Sequence, residues 1–468
     1  MKRLASFLFI FVIVFTLLTG TVFAAAPAYT DDVTAQYWML IDADSGMVLD
    51  DSGNVDKQIE PASTTKIMTC ILALEKGNLS DTVIVSRKAA GISGSTCNLV
   101  EGEEINLENL LNAMMMVSGN DAATAVAEHI SGSASSYVDM MNAKAQELGM
   151  TSTHFYNVHG KHTEEGDHHT TVADMAKLAI YAMKNPTFMG IVDKSSYTLP
   201  ADNKRQSQLY KNTNKLCDRD SEYYYSAANG MKTGSTNFAG GCLVASASKN
   251  GMNLIALLFK DDSQDGRGRW PDARSLFEFG FDNYRTVDLQ ELLVDVKPVQ
   301  AQVENYAAND VSEGLLEFAG PEPGMVYKTL PKDVVEGLLN GTDSLEPVPT
   351  FTSPLQAPIL KDSILGTVQY KSKNTGEVVC SDNLVATRDV LQAGTEPNAS
   401  GGTAVATQPP IIPEKLKTQR DNSGIWLWLL IPAGLIVFLV FRLFTVNRKK
   451  RKRYSTRRKP QYSYKIRR

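Results

Sequence analysis

The sequence predicts an α/β (α+β) fold with an antiparallel sheet and flanking helices, followed by a small β-rich domain. Three observations predict it. YWMLIDADSGMVLDD reads as a hairpin, because two apolar stretches flank the turn Asp42-Ala43-Asp44-Ser45-Gly46. The region from about 60 to 190 is rich in helical pattern. NGMKTGSTNFAGGCLVASASKNGMNLIALLF then reads as successive strands, with Asn250-Gly251 as a strong hairpin turn. The first strand pair and the late strands are distant in sequence but suited to one sheet, with the helices beside it.

The chain has 468 residues, more than one compact domain usually holds. Its 43% hydrophobic and 21% charged residues are ordinary for a globular protein, so the ends stand out. Met1-Lys2-Arg3, the apolar run Leu4 to Leu18 and Val22-Phe23-Ala24-Ala25-Ala26 make a basic, apolar and small-residue series. That order is a secretory signal, residues 1–24, with cleavage after Ala24 or Ala26. No cysteine stands near the cut, which argues against a lipoprotein anchor.

The first domain is expected over 35–285. Pro61 and Ser63 fit a helix start and Gly77 its stop. Ile67, Met68, Ile71, Leu72 and Leu74 make this helix too apolar to be exposed, yet it carries Lys66. Ser63 and Lys66, three apart, share one helix face. A lysine near its usual pKa of about 10 is no base at neutral pH. Burial, or a second cation nearby, lowers that value and frees the amine to take a serine proton. Taken alone, the pair also fits a capping serine and a snorkelling lysine.

Ser118-Gly119-Asn120 separates helical stretches at 107–117 and about 121–131, with Ser118 and Asn120 able to face one side. A hydroxyl there relays a proton and an amide holds a carbonyl; a plain helix break with capping is the alternative. Gly230-Met231-Lys232-Thr233-Gly234-Ser235-Thr236 lies on a predicted strand, whose alternation sends Lys232 and Gly234 to one face. Lys232 supplies the second cation, and Gly234 lets an extended substrate approach the strand edge. SLFEFGFDNY, 275–284, closes the domain as a helix.

Beyond about 286, short alternating runs such as VDVKPVQAQV, APILKDSILGTVQYK and GEVVCSDNLVA predict the β-rich domain, 286–385. Residues 388–424 are a Pro/Gly/Ser/Thr-rich linker, too poor in apolar residues to pack. Residues 425–444, IWLWLLIPAGLIVFLVFRLF, are long enough for a single transmembrane helix at about 1.5 Å per residue across a core of about 30 Å. Trp426 and Trp428 mark one interface and Arg442 snorkels at the other. Residues 442–468 contain thirteen Lys or Arg and no acid. The positive-inside rule therefore puts the tail, 445–468, in the cytoplasm and the bulk of the chain outside, at the cell membrane. Removing those thirteen charges from a net of −5 leaves −18 for residues 1–441. Beside a membrane span, a basic tail reads as a topology signal and a contact for anionic lipid, not as a nucleic-acid site. The five cysteines are scattered without a CxxC, and are expected as mostly buried thiols.

In the order Ser-x-x-Lys, Ser-x-Asn, Lys-Thr-Gly, the motifs are signatures of penicillin-binding proteins and class A β-lactamases. With PASTTKIMT, SGNDAA, NVHG, HHTTVADMAKLA and GMKTGST, the sequence resembles the low-molecular-mass D-alanyl-D-alanine carboxypeptidases over about 35–385. The resemblance implies a penicillin-recognising, serine transpeptidase/β-lactamase-like domain that acts on the peptidoglycan stem peptide and is trapped by β-lactams, without metal or cofactor. By that resemblance Ser63 is acylated, Lys66 is its general base, and Ser118 passes the proton to the leaving D-alanine. Asn120 orients the peptide, while Lys232 and Thr233 meet the terminal carboxylate. The N–H groups of Ser63 and Ser235 form the oxyanion hole, often worth about 3 kcal/mol per donor.

The sequence departs from the family pattern in places. Gly119 stands where Asp or Ala is frequent, and a side chain at that position is expected to point away from the site, so the departure bears little on the resemblance. Ser235 replaces a histidine of some relatives. An arginine is expected after the strand hairpin, with Arg267 and Arg269 as candidates. The family usually ends in an amphipathic helix on the membrane surface, whereas this chain is expected to cross.

Two metal-like patterns are decoys. HFYNVHGKHTEEGDHH, 154–169, spaces His159 and His162 as zinc ligands can be, but matches the family's loop beside the active site. Asp261-Asp262-Ser263-Gln264-Asp265-Gly266 imitates an EF-hand start, then continues into Arg267 and Arg269. ENLLN at 108 and EGLLN at 336 match a β-lactamase deacylation motif but lie outside the interval it needs, and are expected on helix surfaces. A transpeptidase or endopeptidase on the same site, and a non-hydrolytic muropeptide receptor, stay open as rivals.

Overall fold

The computed structural model describes residues 27–394 other than 165 and 321–325. The expected export signal, membrane span, basic tail and nearly all of the linker lie outside the described residues. β1 (Ala35–Asp42) and β2 (Val48–Asp51) form the expected hairpin. A 3-10 turn over Ala62–Thr65 runs straight into α1 (Lys66–Lys76). The small hairpin β3 (Thr82–Ile84) and β4 (Glu104–Asn106) leads to α2 (Leu107–Val117), α3 (Asn120–Ser131), α4 (Ala134–Glu147), α5 (Val172–Met183) and α6 (Pro186–Val192). Side-chain caps start most of these helices: Asn106, Ser133, Thr171 and Asn185 each accept a hydrogen bond from a first-turn N–H.

A hairpin of β5 (Ser196–Leu199) and β6 (Gln208–Lys211) precedes β7 (Ala228–Thr236), β8 (Gly240–Lys249) and β9 (Met252–Asp261). Asn250 and Gly251 both adopt positive φ, 54° and 79°, which suits the β8–β9 turn to the strand twist. β9 returns to pair with β1, so the sheet order is β2-β1-β9-β8-β7. Both faces are covered. Ile255, Leu257 and Phe259 pack toward the α1–α6 layer, and Leu254, Ala256 and Leu258 pack toward α7 (Arg269–Asn283). That two-sided burial explains why β9 reads as a continuous apolar run. Helix α7 begins six residues before the expected 275, because Asp261 accepts a hydrogen bond from the Arg269 N–H at 2.8 Å. No local residue supplies that cap.

The rest of the described chain is β-rich. β10 (Tyr284–Asp288), β11 (Gln300–Gln302), β12 (Leu315–Ala319), β13 (Tyr327–Pro331), α8 (Lys332–Leu339), β14 (Leu345–Phe351), β15 (Ile364–Ser372) and β16 (Val378–Ala386) follow in turn. Five of them form a sheet in the order β11-β12-β16-β15-β14, while β10 pairs with β13. Only Gln300–Gln302 of VDVKPVQAQV is strand. β14 holds Pro347 and Pro349, which an edge strand tolerates because its outer N–H groups need no partner. At the joint with the first sheet, the fully buried Asp42 accepts from the Ser45 N–H, the Ser45 hydroxyl and the Thr286 hydroxyl, at 2.8, 2.7 and 2.8 Å. Ser45 and Thr329 hydroxyls complete the cluster at 2.7 Å. All five cysteines are unpaired, and all but the half-buried Cys380 are buried.

Candidate active site

The site forms where the turn before α1, the α2–α3 junction and β7 converge. Ala62 has φ 46°, a left-handed conformation that costs an alanine about 1–2 kcal/mol. Its carbonyl accepts from the Thr65 hydroxyl at 2.8 Å and lies against Gly160, where a Cβ would come within 1.7 Å of it. Only glycine fits at 160, and the contact fixes the turn that presents Ser63.

Lys66 is fully buried. Its Nζ lies 3.1 Å from Ser63 Oγ, 2.7 Å from Asn120 Oδ1 and 2.8 Å from the His159 carbonyl. Burial first, and the charge of Lys232 second, hold this amine well below the usual lysine range. A neutral amine has two hydrogens and one lone pair. Asn120 Oδ1 and the His159 carbonyl, both obligate acceptors, take the two hydrogens. The lone pair is then directed at the Ser63 hydroxyl.

Ser118 ends α2 in the left-handed conformation, φ 63°, and its buried Oγ has no hydrogen-bond partner among the described residues. Asn120 donates from Nδ2 to the Ser93 carbonyl at 3.0 Å and from its backbone N–H to the Ser95 carbonyl at 2.7 Å. Asp121 accepts from the Cys97 and Leu99 N–H groups, so the 93–99 loop is pinned to the start of α3. Gly119 is tightly packed. A Cβ there points away from the cleft but would meet Cys97 Sγ at 2.4 Å.

β7 is an edge strand, paired only with β8 among the described residues, and its other edge borders the cleft. Gly234 is needed first for the strand's approach to the Ser63 turn, since a Cβ would lie 3.0 Å from the Ser63 nitrogen. Lys232 is buried behind it and donates to the Thr233 carbonyl at 3.0 Å. Burial, then the neighbouring Arg269, brings its amine down to about 7. The Thr233 hydroxyl donates to Thr213 Oγ1 at 2.9 Å. Ser63, Ser118, Thr213, Thr233, Gly234 and Ser235 all line one cleft of about 900 Å³. Lys66, Asn120 and Lys232 stand behind its wall.

Of the two candidate arginines, Arg269 lies against β7, with Nη1 3.5 Å from the Gly234 carbonyl and its guanidinium over Trp270. Arg267 is an exposed rim residue near Asp265. The His159 carbonyl, the 93–99 loop, Asp121 and Thr213 were not assigned from sequence; the NVHG motif pointed to the first of them and SGNDAA to Asp121. The histidines of 154–169 turn to separate partners. His162 Nδ1 is 2.7 Å from Glu60, His169 Nδ1 is 2.6 Å from Asp167, and His159 Nδ1 accepts from the Lys161 N–H. Asp261 spends its carboxylate on the Ser263 and Arg269 N–H groups. Glu108 and Glu336 are exposed on α2 and α8, as expected.

Residues 21–263 match the family model described as D-alanyl-D-alanine carboxypeptidase. The chain is 32% identical over 404 residues to D-alanyl-D-alanine carboxypeptidase DacF of Bacillus subtilis, covering 84% of this chain and 96% of that one. The crystal structure of D-alanyl-D-alanine carboxypeptidase DacD from Francisella tularensis is similar at a TM-score of 0.65 and 26% identity, covering 81% of this chain and 98% of that one. Penicillin binding protein 5 from Haemophilus influenzae is similar at 0.60 and 27%, covering 78% and 99%. These solved structures share the two-part architecture described above. The chain belongs to the serine-type D-alanyl-D-alanine carboxypeptidase family, the penicillin-binding hydrolases of the cell wall.

Proposed function

We propose that the chain removes the terminal D-alanine from peptidoglycan stem pentapeptides through an acyl-enzyme on Ser63, and that penicillin traps this intermediate. The observation that carries the reading is the buried Lys66 amine, 3.1 Å from Ser63 Oγ with its hydrogens committed to Asn120 and His159. In acylation the Ser63 proton passes to Lys66 Nζ as Oγ bonds the carbonyl carbon of the penultimate D-alanine. The oxyanion is received by the Ser63 and Ser235 N–H groups. The C–N bond then breaks, and Ser118 hands the proton from Lys66 to the nitrogen of the leaving D-alanine. In deacylation a water gives its proton to Lys66 and its oxygen to the acyl carbon, and Ser63 Oγ leaves reprotonated. Asn120 holds the peptide, Lys232 and Thr233 bind the terminal carboxylate, and Gly234 keeps the strand edge open to the substrate.

The same reading has the chain exported and anchored by residues 425–444, with 445–468 in the cytoplasm, 388–424 as a linker and 286–385 as a stalk or partner platform. Release of D-alanine from a peptide ending in D-Ala-D-Ala, with and without prior penicillin, tests the activity on the full chain in detergent. Penicillin-sensitive release is expected. Stable penicillin attachment without release would favour a receptor, and transfer to an added amine would favour a transpeptidase. Ser63→Ala should abolish covalent penicillin labelling; labelling that survives moves the nucleophile elsewhere.

A further inference from the structure

His168 lies outside the three signature motifs and takes no part in the proton transfers above. It is buried, and its ring joins two segments. Nδ1 accepts from the Tyr156 N–H at 2.9 Å, and Nε2 is 2.9 Å from Thr65 Oγ1. Burial, then nearby His154 and His169, bring the ring down to about 4, with Asp167 opposing and Lys66 adding to the effect. A neutral imidazole carries one proton. Since Nδ1 accepts, that proton is on Nε2 and is donated to Thr65 Oγ1. The Thr65 hydroxyl, with its oxygen so engaged, donates to the Ala62 carbonyl at 2.8 Å. The series of donors therefore runs in one direction, from Tyr156 through His168 and Thr65 to Ala62. It ends on the left-handed residue next to Ser63.

We propose that His168 is a positioning residue for the nucleophile: it orients the Thr65 hydroxyl, which holds the Ala62 turn that presents Ser63 Oγ to Lys66. The inference rests on the reading of Ser63 as nucleophile. Without a donor at His168 the Thr65 hydroxyl is free to rotate, and the left-handed turn loses one of its restraints. A small displacement of Oγ from the Lys66 lone pair then slows acylation without touching the substrate contacts.

The test is the penicillin acylation rate of the full chain, resolved into affinity and rate constant, for His168→Phe, His168→Gln, Thr65→Val and the His168→Phe/Thr65→Val pair. His168→Phe and Thr65→Val should each lower the rate constant about tenfold with affinity unchanged, and the double variant should lose about the same tenfold, because both break one chain. His168→Gln, whose amide can accept from Tyr156 and donate to Thr65, should act within about twofold of the parent. Losses that multiply to about a hundredfold would show independent roles and overturn the proposal. So would a parent-like rate in His168→Phe or, if that variant fails to fold, in Thr65→Val. A Ser63→Ala control separates the two readings. Labelling that persists in it overturns the assignment of Ser63, whereas a parent-like His168→Phe beside an unlabelled Ser63→Ala overturns only the role of His168.

Discussion

Lys66 was legible as an anomaly, a lysine in an oily helix one turn from a serine. Its two acceptors were not, because Asn120 and the His159 carbonyl are 54 and 93 residues away in the chain. Lys232 was legible as a second cation, and its environment gives a test. Its amine is brought down to about 7, so its positive charge is present below that pH and lost above it. The kcat/KM for a substrate with a terminal carboxylate should therefore fall as pH rises through about 7. In Lys232→Arg, whose charge persists, the alkaline limb should move up by more than two pH units; an unmoved limb removes Lys232 from carboxylate binding. Gly119 offers a second test at this scale. Gly119→Ala should cost about 1–3 kcal/mol in a denaturant titration, because its methyl overlaps Cys97 Sγ. Adding Cys97→Ala should recover the part of that loss owed to the sulfur, while the contact with Asp121 Oδ1, 2.8 Å from the added carbon, stays. An uncompensated double variant would put the strain elsewhere.

At the scale of elements, hairpins were the most legible. Short apolar runs on either side of Asn250-Gly251 set β8 and β9 in the sequence itself. β5, β6 and β14 were less visible, since short or proline-bearing edge strands bury few side chains. The loop that supports Asn120 is also tied to the β5–β6 connection, through a cluster invisible in sequence. Arg205 donates to the Cys97 carbonyl at 2.8 Å and lies 2.6 Å from the buried Glu103, with Asp202 at 3.5 Å. Two carboxyls thus face one guanidinium. Asp202 is held below the ordinary range and carries the charge; burial pushes Glu103 up to about 7. A carboxyl whose folded-state pKa is raised stabilises the fold while protonated in both states, below about 4.5. That contribution is lost as pH rises through about 7. The unfolding temperature should therefore decline between about pH 4.5 and 7, and Glu103→Gln should flatten this decline. An unchanged slope would show that Glu103 is ionised throughout.

For the molecule as a whole, the sequence already showed a sheet built from both ends of the first domain and a β-rich region after it. What it could not show is how the two parts are joined. The hydroxyls that meet at Asp42 and Ser45 come from 244 and 284 residues later. Asp42→Ala removes the buried acceptor of three part-buried donors and should lower the unfolding free energy by about 2 kcal/mol, measured by denaturant titration. A loss below about 1 kcal/mol would mean that water replaces the carboxylate.

The unpaired cysteines carry a consequence for how such a chain matures. Burial pushes Cys217 and Cys242 up to about 12 and Cys380 up to about 11, so almost no thiolate exists at neutral pH. Oxidants find no ready nucleophile in the folded chain, and no crosslink has to be made, checked or reshuffled on the way to it. Folding should need no thiol oxidase. Refolding from denaturant should regain penicillin binding at the same rate and yield in excess dithiothreitol as without it, with packing alone as the measure of completion.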